Sequence, residues 1–226
     1  MSRRDFLKTA AAGTLLVACG STMKSSEGGE KEGGEDDVTP TEDLMREHGV
    51  LRRVMYLYDE ATRRFEAHEE VPLDALAGGA QIIRHVIEDY HEKLEENFLF
   101  PRFEKAGKLA DLTAVLRRQH EKGRDLTAQI MALAKAPLGE PDQAKLILAL
   151  RSFNHMYRAH AAREDTVLFP ALHSIVGKHE YDEMGEKFEA KETEMLGDHG
   201  FEHAVEAVGK LEASFGVDDL AKLTPA

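Results

Sequence analysis

The chain has 226 residues, of which 29 are basic and 42 acidic, so its formal net charge is −13 at pH 7. An acidic surface repels nucleic acid and anionic lipid, and we expect neither as a direct partner. A single Cys excludes an intramolecular disulfide. Trp is absent, and Ala, Leu, Glu, Lys and Arg are abundant. This composition favours an all-α fold.

The first residues have the pattern of an export signal. Residues 2–8 contain a twin Arg, and the apolar run over 9–18 leads directly to Cys19. A twin Arg before such a run is typical of a bacterial Tat signal, and the run is too short to span a bilayer. Its end, Leu-Val-Ala-Cys, resembles a lipobox, in which the Cys becomes lipidated. We predict a Tat signal with a lipobox over 1–19, a periplasmic or extracytoplasmic location, and a membrane anchor on Cys19.

The remaining chain divides into a linker, a bundle and an extension. Residues 20–38 are acidic and rich in Gly, so we predict a flexible linker. Thr39-Pro40-Thr41-Glu42 then has the pattern of a capped helix start. Apolar stripes predict four helices, at about 39–68, 73 or 80 to 105, 109–135 and 142–175. Short connections make neighbours antiparallel, which gives an up-down antiparallel four-helix bundle over 39–176. Amphipathic stretches at about 179–196 and 201–214 form a C-terminal helical extension over 177–226.

One formula occurs twice: His, three residues, Glu, an acid, two residues, then Leu-Phe-Pro. It covers 91–101 and again 160–170, an offset of 69 residues. On an α-helix, residues four apart lie on one face, roughly 6 Å apart along the axis. An imidazole and a carboxylate so placed can bind one metal ion, or the carboxylate can reach a second. Two copies indicate a two-metal site.

Each predicted bundle helix has one His on its apolar face, and two of them also have the Glu of the repeated formula. The predicted metal ligands are His48, His91, Glu95, His120, His160 and Glu164. A single His on an apolar face is usually a satisfied core residue, but burial of six polar groups without compensation would be costly. Six nitrogen and carboxylate ligands suit iron or manganese better than zinc.

These residues resemble the hemerythrin-like, HHE cation-binding family over about 40–176. The resemblance implies a non-haem centre of two Fe ions, oxo- or hydroxo-bridged, in a four-helix bundle, with Mn as a possible replacement. By this resemblance, His48 and His91 bind one iron, His120 and His160 bind the other, and Glu95 and Glu164 bridge both. Oxygen carriers of the family have a second His where this chain has Arg124, so their asymmetric site is not reproduced.

Several neighbours of the predicted ligands have polar side chains. Tyr157 and Glu88 each precede a ligand His by three residues and are predicted to support it. Arg124 follows His120 by one turn, where it can hydrogen-bond a bound anion, point to solvent or pair with a surface acid. His85 and His155 lie off the apolar stripe and remain open as additional ligands.

A buried di-iron site has several possible functions. The family resemblance implies binding or sensing of a small ligand such as O2, NO or peroxide. Open metal positions would also permit a peroxidase or oxidase that detoxifies an oxidant, and iron binding or storage without turnover is a third possibility. A helical interaction module without metal requires the six buried polar groups to be a coincidence. The oligomeric state is open.

Overall fold

The computed structural model describes residues 38–135 and 137–225. The predicted Tat signal over 1–19, and the predicted linker apart from Val38, lie outside these residues, and both stay predictions. Within the described ranges, no helix has the length and apolar content needed to cross a membrane.

The described residues form seven helices and no strands. Four of them make the bundle: α1 is Pro40–Glu66, α2 covers 73–106, α3 is Ala110–Leu133 and α4 covers 140–172. Three follow: α5 is Lys178–Leu196, α6 is Gly200–Phe215 and α7 is Leu220–Leu223. Each bundle helix packs against two others in the order α1, α2, α3, α4 and back to α1. The predicted all-α, hemerythrin-like bundle is confirmed.

Contacts between α1 and α4 fix their direction. Glu66, at the end of α1, pairs with Arg151, whereas His48, near its start, pairs with Asp165. Later residues of α1 therefore pair with earlier residues of α4, so the two helices are antiparallel.

The start of α1 and the end of α2 follow their local sequences. The Thr39 hydroxyl accepts a hydrogen bond from the Glu42 N–H, and the Glu42 carboxylate accepts one from the Thr39 N–H in return. This capping box, with Pro40 at the first helical position, satisfies backbone groups that the helix cannot. Gly107 ends α2 in the left-handed conformation, with φ of 63°, which only a residue without Cβ adopts readily.

Two bundle helices are not regular α-helices, which the sequence did not predict. In α2, the segments Ile83–His91 and Glu95–Leu99 are π-helical, and in α4 the segment Glu164–Leu168 is π-helical. Pro101 and Pro170 each follow the short segments and lack the N–H that would continue an α-helical ladder. The repeated Leu-Phe-Pro therefore accompanies one wide turn in each helix, and each wide turn begins at the Glu of the formula.

The core is split into two apolar clusters by a polar layer. One cluster contains Leu51, Met55 and Phe153, and the other contains Leu44 and Phe103. His48, which is buried, follows Leu44 and precedes Leu51 on α1, so its level lies between the two clusters.

The C-terminal helices share this core. Val208 of α6 belongs to the first cluster, and Phe188 of α5 belongs to the second. A 2.6 Å hydrogen bond joins the hydroxyls of Thr41 and Tyr181 and ties α5 to α1. Residues 39–226 form one compact unit, and the predicted boundary at 176 stays a prediction.

Candidate metal centre

The structure brings the six predicted ligands together in the polar layer. Every one of them is 3 % exposed or less. They come from all four bundle helices, and their positions are His48, His91, Glu95, His120, His160 and Glu164. The side chains of Glu95, His120, His160 and Glu164 each offer a ligand atom within 4.8 Å of the others, and His48, His91 and Glu95 form a second such group. The cluster is compatible with a metal-binding site.

The four imidazoles form two pairs. The ring centroids of His48 and His91 are 4.7 Å apart, and we call this pair the first half-site. The centroids of His120 and His160 are 4.9 Å apart, and this pair is the second half-site. In the second half-site the two Nε2 atoms are 3.2 Å apart. Imidazole nitrogens bind metals at about 2.0–2.1 Å, so two that share one ion in adjacent positions lie about 3 Å apart.

Each carboxylate lies between the two half-sites. Oε2 of Glu95 is 3.7 Å from Nε2 of His91 and 3.4 Å from Nε2 of His120. Oε2 of Glu164 is 3.4 Å from Nε2 of His48 and 3.0 Å from Nε2 of His160. Each carboxylate therefore has an oxygen within 3.7 Å of one imidazole of each half-site.

Several atoms at the centre lack a well-formed hydrogen bond within the described part of the chain. Among the described residues, both oxygens of Glu95, both oxygens of Glu164 and Nε2 of His91 make no hydrogen bond of acceptable geometry. Buried polar atoms are almost always satisfied. Two carboxylates and an imidazole nitrogen that face one another are the donor set of a cation, so the residues present fit a metal.

The protonation equilibria of the two carboxylates are driven apart. Burial and the nearby charge of Glu164 raise the pKa of Glu95 well above its usual value. Burial also acts to raise the pKa of Glu164, but His160 and His48 outweigh it and the pKa falls below its usual value. Two close, buried carboxylates cannot both ionise without compensation. A bound divalent cation would compensate both and displace the proton.

Every imidazole of the cluster makes a second contact through Nδ1, on the side away from the centre. His48 contacts Asp165 at 2.7 Å, and His91 contacts Glu47 at 2.8 Å. His120 contacts Glu96 at 3.1 Å, and His160 contacts Gln119 at 2.9 Å. An acceptor at Nδ1 holds the proton there, so the Nε2 lone pair is directed to the centre.

These four partners were missed in the sequence, although the signal was present. Glu96 and Asp165 are the acid that follows Glu in the repeated formula. Glu47 and Gln119 immediately precede the His residues of α1 and α3. Each partner acts on a neighbouring helix, so spacing along its own helix could not reveal it.

The contacts of His48 shift its protonation equilibrium. Burial lowers its pKa, but the hydrogen bond to Asp165 and the nearby carboxylate of Glu164 outweigh burial and raise the pKa to about 9. For His91, burial dominates and lowers the pKa well below its usual value. Close carboxylates thus make the imidazole of His48 a stronger base than usual, whereas burial keeps the imidazole of His91 neutral.

Arg124 pairs with acids next to the cluster. Its guanidinium donates to Glu92 at 2.7 Å and to Glu96 at 2.6 Å. Glu96 is the partner of His120, so Arg124 supports that ring through one carboxylate. Of the alternatives for Arg124, pairing with an acid is the one observed, but Glu92 is fully buried and is not a surface acid.

Tyr157 contacts the ring that it was predicted to support, whereas Glu88 pairs with a residue other than His91. The Tyr157 ring meets His160 edge to face with centroids 5.3 Å apart, while its hydroxyl donates to Glu92 at 2.6 Å. Glu88 forms a 2.7 Å ion pair with Arg84, and Glu47 occupies the place at His91. The reason is the π-helical segment Ile83–His91, whose i to i+5 bonds widen the turn and rotate Glu88 away from the face of His91.

The aromatic residues of the two formula copies cover the rings. Phe100 stacks on His120 with centroids 5.5 Å apart, and Phe169 stacks on His48 at 5.6 Å. The two Phe rings therefore cover imidazoles of the polar layer. His85 and His155 are exposed, so they are not additional ligands in this cluster.

Gly123 makes room for Tyr157. A Cβ on Gly123 would lie 1.9 Å from the Tyr157 hydroxyl oxygen. We expect Gly123→Ala to displace Tyr157, break its bond to Glu92 and lower the free energy of unfolding by about 1–3 kcal/mol. Urea unfolding followed by circular dichroism measures the change.

The matched control is Gly49→Ala in α1, where a Cβ would have no neighbour within 4 Å. It should raise the free energy of unfolding by up to about 1 kcal/mol, because Ala favours a helix. Equal stability of the two variants would contradict the tight fit of Tyr157 against α3.

Comparisons with known proteins agree with this geometry. The chain is 43 % identical over 234 residues to proteins of Mycobacterium bovis and of Mycobacterium tuberculosis strains CDC 1551 and H37Rv, each named only as an uncharacterized protein. Each match covers 100 % of this chain and 92 % of the relative. No solved structure is significantly similar to the chain. Residues 39–172 match the model of the hemerythrin HHE cation-binding domain, and the chain belongs to this family.

Proposed function

We propose that the protein is a non-haem di-iron protein that binds or senses oxygen or another small oxidant or diatomic molecule. The observation that carries this proposal is the position of Glu95 and Glu164, each between an imidazole of the first half-site and one of the second. A single four-coordinate ion would not use this arrangement. Two ions that share two carboxylates would use all six side chains.

The donor set favours iron, with manganese as the alternative. All six side chains offer imidazole nitrogen or carboxylate oxygen, and the site contains no thiolate. Structural zinc usually has four ligands that include Cys. His48 and His91 would hold one ion, and His120 and His160 would hold the other. When bound, such ions supply open coordination positions and reversible one-electron oxidation.

The residues around the site keep water and large molecules away. Apolar clusters lie on both sides of the polar layer, and Phe100 and Phe169 cover two of the rings. Exclusion of water strengthens electrostatic interactions inside the site and prevents hydrolytic side reactions. The four Nδ1 contacts hold the rings in one orientation and one tautomer. The protein's part is thus to orient the ligands and keep the pocket dry.

A cleft between α1 and α4 lies next to residues that adjoin the site. Its volume is about 310 Å³, and its lining includes Met55, Tyr157 and Ala161. Ala161 is the neighbour of His160, and the Tyr157 ring contacts that His directly. A diatomic molecule or peroxide fits such a cleft, whereas a large substrate cannot reach ligands that are buried this deeply.

The proposal is tested with the iron-loaded protein, reduced without air and then exposed separately to O2, NO and peroxide. We expect each reactive ligand to change the visible absorption of the iron centre. The change should be complete when one molecule of ligand has been added for each pair of iron ions. Reversal of the O2 spectrum under vacuum would indicate binding or sensing. Steady consumption of peroxide would favour the detoxifying enzyme. Iron that accumulates far beyond two ions per chain would favour storage, and no response to any ligand would contradict the proposal.

We also propose that the protein is exported by the Tat pathway and tethered to a membrane through Cys19. The support is the order of the twin Arg, the apolar run and the lipobox-like end in the sequence. We expect Cys19→Ala to release the exported protein from the membrane fraction, because the acyl anchor is lost.

Replacement of both Arg3 and Arg4 by Lys should instead keep the protein in the cytoplasm. Fractionation followed by immunoblotting distinguishes the two variants. Unchanged membrane association of Cys19→Ala would contradict the lipid anchor.

A further inference from the structure

The Nδ1 contacts of the cluster follow a pseudo-twofold pattern. In each half of the bundle, the residue before the His of the first helix contacts the His of the second helix. Glu47 of α1 contacts His91 of α2, and Gln119 of α3 contacts His160 of α4. The acid after each formula Glu completes the pattern, with Asp165 at His48 and Glu96 at His120.

At one pair of equivalent positions, Glu47 and Gln119, the two partners differ in charge. Glu47 is a carboxylate, 1 % exposed, and it contacts its imidazole at 2.8 Å. Gln119 is a neutral, partly exposed amide, and it contacts its imidazole at 2.9 Å. The contact distances are nearly the same on both sides, so the two contacts differ in the charge and the burial of the partner.

The other pair of contacts is biased in the same direction. Asp165 contacts His48 at 2.7 Å and is shared with one cation, Arg52. Glu96 contacts His120 at the longer distance of 3.1 Å. It is also shared with two cations, Lys93 and Arg124, each 2.6 Å away.

One buried charge near the second half-site acts in the opposite direction, but it is compensated. Glu92 lies close to His120 and Glu96. Its carboxylate accepts hydrogen bonds from Arg124 and from Tyr157. Among the described residues, two cations, Arg124 and Lys93, therefore pair with the acids behind the second half-site, whereas one cation, Arg52, pairs with Asp165 behind the first.

We infer that the two half-sites are unequal, and that Glu47 and Gln119 set the difference: His48 and His91 bind their divalent ion more tightly than His120 and His160. A carboxylate that accepts the Nδ1–H makes an imidazole a stronger donor at Nε2, and such partners change metal affinity by about 10–100-fold. The inference rests on the proposed di-metal site and adds an order of filling. The ion at the second half-site is bound more weakly and is lost first.

The test is an anaerobic titration of the metal-free, full-length chain with Co²⁺, whose absorption reports its ligands. We expect two steps whose dissociation constants differ by about 10–100-fold. Anomalous diffraction at the cobalt edge, with one equivalent bound, should place that ion at His48 and His91. Fe²⁺ titrated in the same way should fill the sites in the same order.

Charge swaps make the test specific. Gln119→Glu should tighten the weaker step and bring the two constants together, whereas Glu47→Gln should weaken the tighter step. The double variant, with both substitutions, should place the first ion at His120 and His160. Both changes keep the size of the side chain, and Glu206→Gln on the exposed face of α6 is the control that should leave both steps unchanged.

The outcomes separate this inference from the proposed function. If no variant and no wild-type chain binds cobalt or iron, the metal site itself is wrong. If two ions bind with equal constants, or first at the second half-site, the inference is wrong while the di-metal site stands. If the Glu47→Gln variant does not fold, the location of the first ion in the wild type and the effect of Gln119→Glu still test whether the two half-sites are unequal.

Discussion

The structure depends on one constraint, the burial of two carboxylates and four imidazoles in the centre of a helical bundle. Five of their atoms, the oxygens of Glu95 and Glu164 and the Nε2 of His91, make no good hydrogen bond among the described residues. Burial of a polar atom without a hydrogen bond costs about 1–3 kcal/mol. The cost for five such atoms is therefore similar to the whole free energy of unfolding of a typical domain, which is about 5–15 kcal/mol. A cation that all five atoms face would offset this cost, which is why a metal site explains the cluster and a purely structural core does not.

The rest of the fold positions and protects this layer. Apolar clusters on both sides exclude water, and the wide turns that begin at Glu95 and Glu164 coincide with the repeated Leu-Phe-Pro. Each Nδ1 contact reaches from one helix to a neighbour, so the outer partners also join the helices in pairs. The same residues therefore connect the helices and orient the imidazoles. A substitution of one of these partners is expected to affect a metal ligand as well as the fold.

Much of this could be predicted from the sequence, because the signals are local. The capping box at Thr39 and the apolar periodicity gave helix bounds within a few residues. The 69-residue repeat pointed to four of the six side chains that the fold brings together, and the one His on the apolar face of each remaining helix added His48 and His120. Features that arise between helices could not be predicted. Glu47 and Gln119 act on rings of other helices, and the π-helical turn in α2 moved Glu88 away from His91. Periodicity assumes a regular helix, so it fails where the helix widens.

The central claim is that Glu95 and Glu164 join two metal ions in one site, and its most direct test is a count of iron per chain together with the magnetic coupling of the ions. We expect two ions per chain in the wild type, coupled to each other in the Mössbauer spectrum of the oxidised protein. We expect fewer than two in a variant with both Glu95→Ala and Glu164→Ala. One uncoupled ion per chain, or full and coupled iron in the double variant, would contradict the bridging role of these carboxylates.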